Sequence, residues 1–312
     1  MRRLLLAVLL VLGAVTLVFI LLHAVPGDPA AIAVGDFATP AQIQAVRHEL
    51  GLDRPLPVQY VTWIAGVAHG NFGESLSLST PVSQLLLQRL PHTLELVLVS
   101  VVLGLCCGIP IGVVSALRRA GPVDIGLSAL SLTTLSIPTY VSGTVVVLLF
   151  AVRLQWLPAS GYVSFAQDPI GHIKLLILPC LTLAAPLVAS VVRFTRSSVL
   201  EVISQDYVRT ARGKGLQERQ VLRRHVLRNS LLPITTIVGL QAGNLLGGAV
   251  IIEIIFAWPG LATLLFQGIG SHDYPLVQGC VLVISGLFIL FNLIVDIVNG
   301  FIDPRMAYGA AR

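Results

Sequence analysis

Six apolar runs, each long enough to cross a lipid bilayer as a helix, constrain this chain more than any other feature. They cover residues 4–22, 94–117, 125–151, 173–192, 231–256 and 275–298 of the 312. At about 1.5 Å per residue, even the shortest run forms a helix of about 28 Å, close to the thickness of the hydrocarbon core. The sequence therefore predicts an all-α polytopic membrane protein, with six transmembrane helices in a single domain over residues 1–312.

Composition and charge agree with a membrane location. Only 11% of the residues are charged and 55% are hydrophobic, whereas an average soluble protein is about 25% charged. The net charge of +5 predicts contact with anionic membrane lipid. No basic face interleaved with aromatic residues is present, so we expect no nucleic-acid partner.

The distribution of Lys and Arg sets the orientation, because these residues accumulate on the cytoplasmic side. Six spans place both termini and the loops after the second and fourth runs together, and that side carries 15 of the 20 Lys and Arg. The other side carries five, namely Arg47, Arg54, Arg89, Arg153 and Lys174. We therefore expect cytoplasmic termini and an external segment at residues 23–92. Arg2 and Arg3 also allow a cleaved signal peptide, but the run after them is longer than such peptides usually have.

The segment 193–230 is the longest basic stretch and holds nine Lys and Arg. Such charge cannot lie in hydrocarbon, so this segment is predicted to be a cytoplasmic loop. Gly213 and Gly215 predict a bend between two short helices. On the second helix Arg219, Arg223, Arg224 and Arg228 share one half of the wheel, while Val221, Leu222 and Val226 share the other, with Leu227 out of place among the arginines. The pattern suits a lipid anchor or a docking element for a cytoplasmic partner.

No sequence motif supplies catalytic chemistry. A nucleophile–base pair, a zinc-protease motif, a nucleotide phosphate loop and a dinucleotide fingerprint are all absent from the 312 residues. We therefore expect no enzyme activity, no bound cofactor and no metal. The four cysteines lie in apolar runs and are predicted to be small core residues without disulfides: Cys106, Cys107, Cys180 and Cys280.

Few ionisable residues lie in the spans. Glu95 and Glu253 stand near outer edges and Asp296 near the inner end of the last run. A proton-coupled transporter would be expected to carry such groups at mid-membrane depth, so an external energy source is favoured. An intramembrane enzyme would need paired groups at one depth, and the sequence shows none.

Polar and small residues in the third and fifth runs are the candidates for a translocation path. They are Ser136, Pro138, Thr139 and Ser142 in the third run, and Gln241, Asn244, Gly248 and Glu253 in the fifth. Glu253 is expected at the external mouth. Small and polar side chains also pack membrane helices together, and that alternative stays open.

Several motifs together resemble the peptide/nickel branch of bacterial ABC-importer permeases. The loop sequences DYVRTARGKGL at 206–216 and RHVLRNSLLP at 224–233 are similar to the cytoplasmic EAA loop, E-A-A-x3-G-x9-I-x-L-P. Ala211, Gly215 and Leu227 match that pattern. Arg209, Thr210, His225 and Arg228 depart from it as this branch usually does. Further matches are PGDP at 26–29, LGLDRPLPVQY at 50–60, NFGES at 71–75, RLPHT at 89–93, EIIFAWPG at 253–260 and DPR at 303–305.

The resemblance implies a type I ABC-importer permease fold with a coupling helix. Implied partners are a second permease (a homologue or another copy), two cytoplasmic ATPases that hydrolyse ATP with Mg²⁺, and an extracytoplasmic solute-binding protein, at a bacterial plasma (inner) membrane. The residues implied to couple to an ATPase are Asp206, Tyr207, Arg209, Thr210, Ala211, Arg212, Gly213, Lys214, Gly215 and Leu216. Di- or oligopeptides are the expected solute, with nickel chelates or glutathione as alternatives. A lipid-anchored scaffold or channel component is the rival class.

Overall fold

The computed structural model describes residues 2–24, 28–34 and 39–302. The DPR motif at 303–305, part of PGDP and the side chain of Asp296 lie outside this description. The helices are α1 (Arg2–Ala24), α2 (Pro29–Val34), α3 (Pro40–Glu49), α4 (Leu56–Ala68), α5 (Val82–Leu117), α6 (Pro122–Ser136), α7 (Thr139–Val146), α8 (Pro169–Ile203), α9 (Asp206–Gly213), α10 (Glu218–Val221), α11 (Arg228–Ile255), α12 (Leu261–Gly270) and α13 (Tyr274–Ile302). Two π-helical turns, Val147–Arg153 and Leu222–Leu227, follow α7 and α10. The strands β1 (Glu74–Ser75) and β2 (Thr80–Pro81) form a short antiparallel hairpin.

Helices cover all six of the predicted spans, and the all-α class is confirmed. Among the described residues, α5, α8 and the part of α13 from Tyr274 to Ile294 are long and apolar enough to cross a membrane. The bent pair of α6 and the helical stretch Thr139–Arg153 makes a fourth if it counts as one span. The number of six transmembrane spans stays a prediction.

The third predicted span is broken rather than continuous. The two helices of the bent pair meet at 106°. Ile137 is extended, with φ −88° and ψ 123°, because a residue that precedes proline is sterically disfavoured in the helical region. Pro138 then starts α7 from the N-cap position. The proline in the middle of the run thus ends one helix and begins another.

Contacts divide the chain into two units, residues 1–94 with 258–289 and residues 95–257 with 290–312. In the first unit, α3 begins where predicted, with a capping box in which Thr39 and Gln42 exchange side-chain-to-backbone hydrogen bonds. The β-hairpin is tied to the start of α13 through the buried Asp273, which accepts hydrogen bonds from the hydroxyls of Ser75 (2.6 Å) and Ser77 (2.9 Å). The apolar core of this unit contains Val82, Leu85, Leu86, Leu261, Leu264, Leu276 and Cys280.

In the second unit, α5 and α8 pack closely along a stripe of glycines. A methyl group added to Gly108 would lie 2.7 Å from Cβ of Val191, and one added to Gly112 would lie 2.6 Å from Cβ of Thr195. Gly104 is equally crowded by a side chain of α8. Small residues spaced by four let membrane helices approach at backbone distance. These glycines therefore bring α5 and α8 into one closely packed pair.

The cysteines correct one expectation. Cys180 and Cys280 are buried, as predicted, but Cys106 and Cys107 are exposed. Cys106 stands about 200° from Gly104 around α5, away from the face that meets α8. Cys107 lines a cavity of about 290 Å³ bounded by α5, α6 and α8. An apolar run identifies a span but not which of its faces packs against protein, so the core assignment of these two residues was wrong.

Candidate functional site

The predicted cytoplasmic segment begins with the last turns of α8, because that helix continues beyond Val192 to Ile203. A short helix, α9, follows and ends at Gly213. Gly215 has φ +78°, a conformation that favours glycine, and the chain then enters α10. The bend predicted from the two glycines is confirmed.

An apolar cluster, here called the loop seat, lies beneath this bend. It consists of Ala116, Val199, Val208, Ala211, Val221 and Val226, all buried. Val208 and Ala211 come from α9, while Ala116 lies in the last turn of α5 and Val199 lies in α8. Burial of apolar surface contributes about 25 cal/mol per Å². The loop seat thus fixes α9 to the ends of two long helices.

The outer face of α9 and the turn after it is polar and exposed. Of the ten residues implied to couple to an ATPase, only Ala211 is buried, and the other nine are exposed: Asp206, Tyr207, Arg209, Thr210, Arg212, Gly213, Lys214, Gly215 and Leu216. Three of these nine carry positive charge. The structure therefore brings the predicted residues together on one basic surface above an apolar base.

The second helical piece follows the predicted separation. Val221 and Val226 are buried, whereas all four arginines of the other half are exposed. Leu227 falls among the arginines on an α-helical wheel, yet it is half-buried. The π-helical turn Leu222–Leu227 explains this burial. A π-helix has more residues per turn than an α-helix, so the side chains at its end point in other directions than the α-helical wheel predicts.

An exposed ion pair closes the corner between α9 and α10. Arg212 donates from Nε to Oε2 of Glu218 at 3.0 Å and from Nη2 to Oε1 at 2.6 Å. These hydrogen bonds hold the pKa of Glu218 below its usual value. The side-chain amide of Asn229 also donates to the hydroxyl of Tyr207 at 3.0 Å. The loop is therefore connected at both ends by polar contacts as well as by its seat.

A second Arg–carboxylate fork lies at the start of α6, and no sequence pattern predicted it. Arg196 of α8 donates from Nε to Oδ1 of Asp124 at 2.6 Å and from Nη2 to Oδ2 at 2.8 Å. The hydroxyl of Ser115 (2.6 Å) and the backbone N–H of Ala120 (2.9 Å) donate to the same carboxylate. Four hydrogen bonds thus tie the start of α6 to the end of α5 and to α8. Arg196 is part of this internal cluster rather than of a free basic surface.

The candidate path residues of the third run lie around the break at Pro138. Ser136 is exposed and its hydroxyl donates within α6 to the carbonyl of Leu132 at 2.9 Å. The hydroxyl of Ser142 donates to the carbonyl of Thr139 at 2.9 Å, and both residues are half-buried. The O–H groups of both serines are thus donated inside their own helices.

The candidate path residues of the fifth run differ in exposure. Gln241 donates to the hydroxyl of Ser190 at 3.2 Å and accepts from the amide of the exposed Asn244 at 3.3 Å. A methyl group on Gly248 would lie 3.1 Å from Leu183, which fits a packing role. Glu253 is fully buried and does not open onto solvent in this chain. Their role as a path stays a prediction.

The sequence analysis missed one pair of ionisable groups in contact. Nε2 of His172, at the start of α8, lies 2.7 Å from Oε1 of Glu95 on α5. His172 is 2% exposed. The two residues are far apart along the chain, and no spacing rule joins them, so the pair could not be found from sequence pattern.

Comparison with known proteins gives a consistent picture. The family model described as binding-protein-dependent transport system inner membrane component matches residues 108–308, and the model of its N-terminal part matches residues 1–97. The probable peptide ABC transporter permease protein y4tP of Sinorhizobium fredii (strain NBRC 101917 / NGR234) is 42% identical over 291 residues, 93% of each chain. The oligopeptide transport system permease protein AppB of Bacillus subtilis (strain 168) is 39% identical over 310 residues, 98% of each chain.

Among solved structures, one of the MetNI methionine ABC transporter in inward-facing conformations is similar in fold. It has a TM-score of 0.57 at 19% identity, and the match covers 70% of this chain and 97% of that one.

Proposed function

Since the chain belongs to the family of binding-protein-dependent transport system inner membrane components, we propose that it forms part of the path by which di- or oligopeptides enter the cell. The relatives at about 40% identity are named as peptide permeases, which favours peptides over nickel chelates or glutathione. The path itself is proposed to lie along the polar side of the broken span α6–α7 and of α11, near Ser136 and Asn244.

The observation that carries the proposal is the construction of α9. Its exposed face is basic, with Arg209, Arg212 and Lys214, while Val208 and Ala211 anchor it to the loop seat. A partner that pushed on this face would act on a helix fixed to α5 and α8. Arginines on such a surface pair well with carboxylates of a partner. We propose that this partner is a cytoplasmic ATPase.

The remaining assembly follows from the same proposal. Because the sequence holds no nucleotide phosphate loop, ATP and Mg²⁺ are assigned to two ATPase subunits. A second, homologous permease completes the membrane part, and an extracytoplasmic binding protein delivers the solute. The chain is placed in a bacterial plasma membrane with both termini cytoplasmic, in accordance with the distribution of Lys and Arg.

The test reverses one charge on the exposed face of α9 and leaves the buried residues of that helix unchanged. The side chain of Arg209 is 78% exposed. Its Nη1 lies 3.9 Å from Oδ1 of Asp206, which is too far for a hydrogen bond. Arg209→Glu should reduce peptide uptake about tenfold or more and weaken recovery of the ATPases with the tagged chain, because like charges then face each other. Arg153→Glu, on the opposite side of the membrane and also exposed, is the matched control and should leave both unchanged.

Abundance of each variant in the membrane is measured in parallel. Normal uptake by Arg209→Glu at normal abundance would overturn the docking role of α9. The solute is tested by competition, with labelled dipeptides displaced by peptides, by glutathione or by a nickel chelate. Displacement by a nickel chelate alone would reject peptides as the solute while leaving the docking role intact.

A further inference from the structure

Arg193 differs from its neighbour Arg196 on α8 because its charge is unpaired. It directly follows the fourth apolar run, and the structure places it well inside α8 rather than in a loop. Arg196 forms its fork with Asp124, whereas Arg193 is exposed and has no hydrogen bond or ion pair within the described part of the chain. Charged residues in membrane helices usually pair with one another or line the path of a solute. The donors of this guanidinium are therefore available to a ligand.

The side chain of Arg193 lines a cavity of about 220 Å³ bounded by α6 and α8. The other lining residues are Leu135, near the end of α6, and Ser190, Phe194 and Ser197 of α8. Leu135 and Phe194 are exposed, so the cavity is open to a ligand from outside the chain. A guanidinium, two hydroxyls and two apolar side chains thus surround one small space.

A short chain of hydrogen bonds continues the polar lining from α8 to α11. The hydroxyl oxygen of Ser190 accepts from Nε2 of Gln241 at 3.2 Å, and Oε1 of Gln241 accepts from the amide of Asn244 at 3.3 Å. Ser190 donates its own O–H to none of the described residues, and Ser197 makes no hydrogen bond among them. Both hydroxyls can therefore donate to a bound molecule.

The position of the cavity agrees with the candidate path. Leu135 directly precedes Ser136, a path candidate of the third run, while Gln241 and Asn244 are path candidates of the fifth. The helix that carries Arg193, α8, packs against both α6 and α11. Polar groups from both candidate runs are thus close to one unpaired positive charge.

The donors of the cavity define the class of ligand. Among the described residues, none of those that line it is acidic, so a negative group must come from outside the chain. A planar guanidinium binds a carboxylate through two parallel hydrogen bonds. The cavity is smaller than the roughly 300–1,000 Å³ that enclose a whole small ligand. It is therefore suited to the end group of a longer molecule.

We propose that Arg193, with Ser190 and Ser197, binds the C-terminal carboxylate of a peptide during its passage, and that Leu135 and Phe194 contact its last side chain. This assignment rests on the proposed function and names the part of the peptide that is recognised. The carboxylate is shared by peptides of every sequence. Its recognition by Arg193 would select peptides without selecting their side chains.

The test compares two forms of one tripeptide, with a free C-terminal carboxylate or with a C-terminal amide. Uptake of each is measured with the complete transport complex in proteoliposomes. Arg193→Gln should reduce uptake of the acid about tenfold or more, because charge-assisted hydrogen bonds are lost, and should change uptake of the amide by about twofold at most. Arg193→Lys keeps the charge but not the fork and should reduce uptake of the acid less than Arg193→Gln does.

Lys174→Gln is the matched control, since it removes one positive charge from an exposed residue at the other end of α8. It should leave uptake of both peptides unchanged. Selection by the binding protein is the same for all variants and cancels when each peptide is compared between variants. Binding to the complex without that protein is also measured, by saturation-transfer NMR in lipid nanodiscs. The wild type should bind the acid about tenfold more tightly than the amide, and Arg193→Gln should bind both alike.

The outcomes separate this site from the proposed function. If the wild type transports the acid but Arg193→Gln changes both peptides equally, or changes neither, the carboxylate site is wrong and the proposed function stands. A loss that affects both peptides and follows the content of anionic lipid would assign Arg193 to a lipid phosphate and overturn the site as well. Absence of any peptide uptake and binding by the wild type would overturn the proposed function itself, and the site with it.

Discussion

Two Arg–carboxylate forks of nearly the same geometry lie at the end of the second unit that carries α9, and they differ in burial. Arg196 and Asp124 form one, with side chains 32% and 4% exposed, and two further donors complete the carboxylate. Arg212 and Glu218 form the other, with side chains 40% and 65% exposed. The inner fork joins α6 to α8, whereas the outer fork only closes the corner between α9 and α10.

This difference in burial indicates a different role for each fork. Water solvates the outer charges in the folded and unfolded chain, so their pairing contributes little to stability. The inner carboxylate is removed from water, so the loss of its partners would leave an uncompensated buried charge. The inner fork is thus part of the framework. The outer charges can rearrange to meet a partner at small cost.

The largest effect is expected from Asp124→Asn. The amide cannot accept from all four donors, and Arg196 loses its counter-charge. We expect the melting temperature of the full chain in detergent to fall by about 5–10 °C, and Glu218→Gln, the matched change in the outer fork, to lower it by about 1 °C or less. Equal falls for the two variants would break the distinction between the forks.

An intermediate effect is expected from Val208→Ala, which removes two methyl groups from the loop seat. Val208 is fully buried, and the loss is expected to cost about 1–2 kcal/mol through lost burial and a residual cavity. Trypsin cuts after the exposed arginines of α9 only when the loop opens, so cleavage should be about 5–30-fold faster. Under the same conditions Glu218→Gln should change cleavage by about twofold at most, which would show that the seat, not the outer fork, holds α9.

The smallest effect concerns pH. The hydrogen bonds from Arg212 lower the pKa of Glu218 from its ordinary value of 4.5, so the outer fork contributes stability above about pH 4.5, and this contribution is lost as the pH falls through the lowered pKa. Because the pair is exposed, we expect about 0.5 kcal/mol or less. The difference in melting temperature between wild type and Glu218→Gln should therefore disappear once the pH has fallen below the lowered pKa of Glu218, and also in 1 M salt. A difference that persists under both conditions would contradict this interpretation.

Features that depend on one segment could be predicted from the sequence. The spacing of Val221 and Val226 against the arginines follows from the geometry of a single helix, and Thr39 with Pro40 marks the start of α3. The bend at Gly215 needs only the conformational freedom of glycine. In each case the physical cause lies within a few residues of its effect.

Features that depend on tertiary packing could not be predicted from the sequence. Asp124 and Arg196, like Glu95 and His172, meet only because α5, α6 and α8 pack together, and no periodicity records such a meeting. The exposure of Cys106 depends on which face of α5 the glycines turn toward α8. The break at Pro138 was visible as a proline, but its angle of 106° does not follow from the proline alone. The candidate path residues stay predictions for the same reason.

The length of α8 has a mechanical consequence. From Pro169 to Ile203 it measures about 52 Å at 1.5 Å per residue, with His172 near one end and the loop seat at the other. A tilt of about 5° around its middle would displace each end by about 2 Å in opposite directions, by the geometry of a rod of that length. A change of roughly that size at α9 would be enough to stretch or relieve a hydrogen bond of 2.7 Å at His172. In this way α8 would link the basic surface of α9 at one end to the contact between His172 and Glu95 at the other.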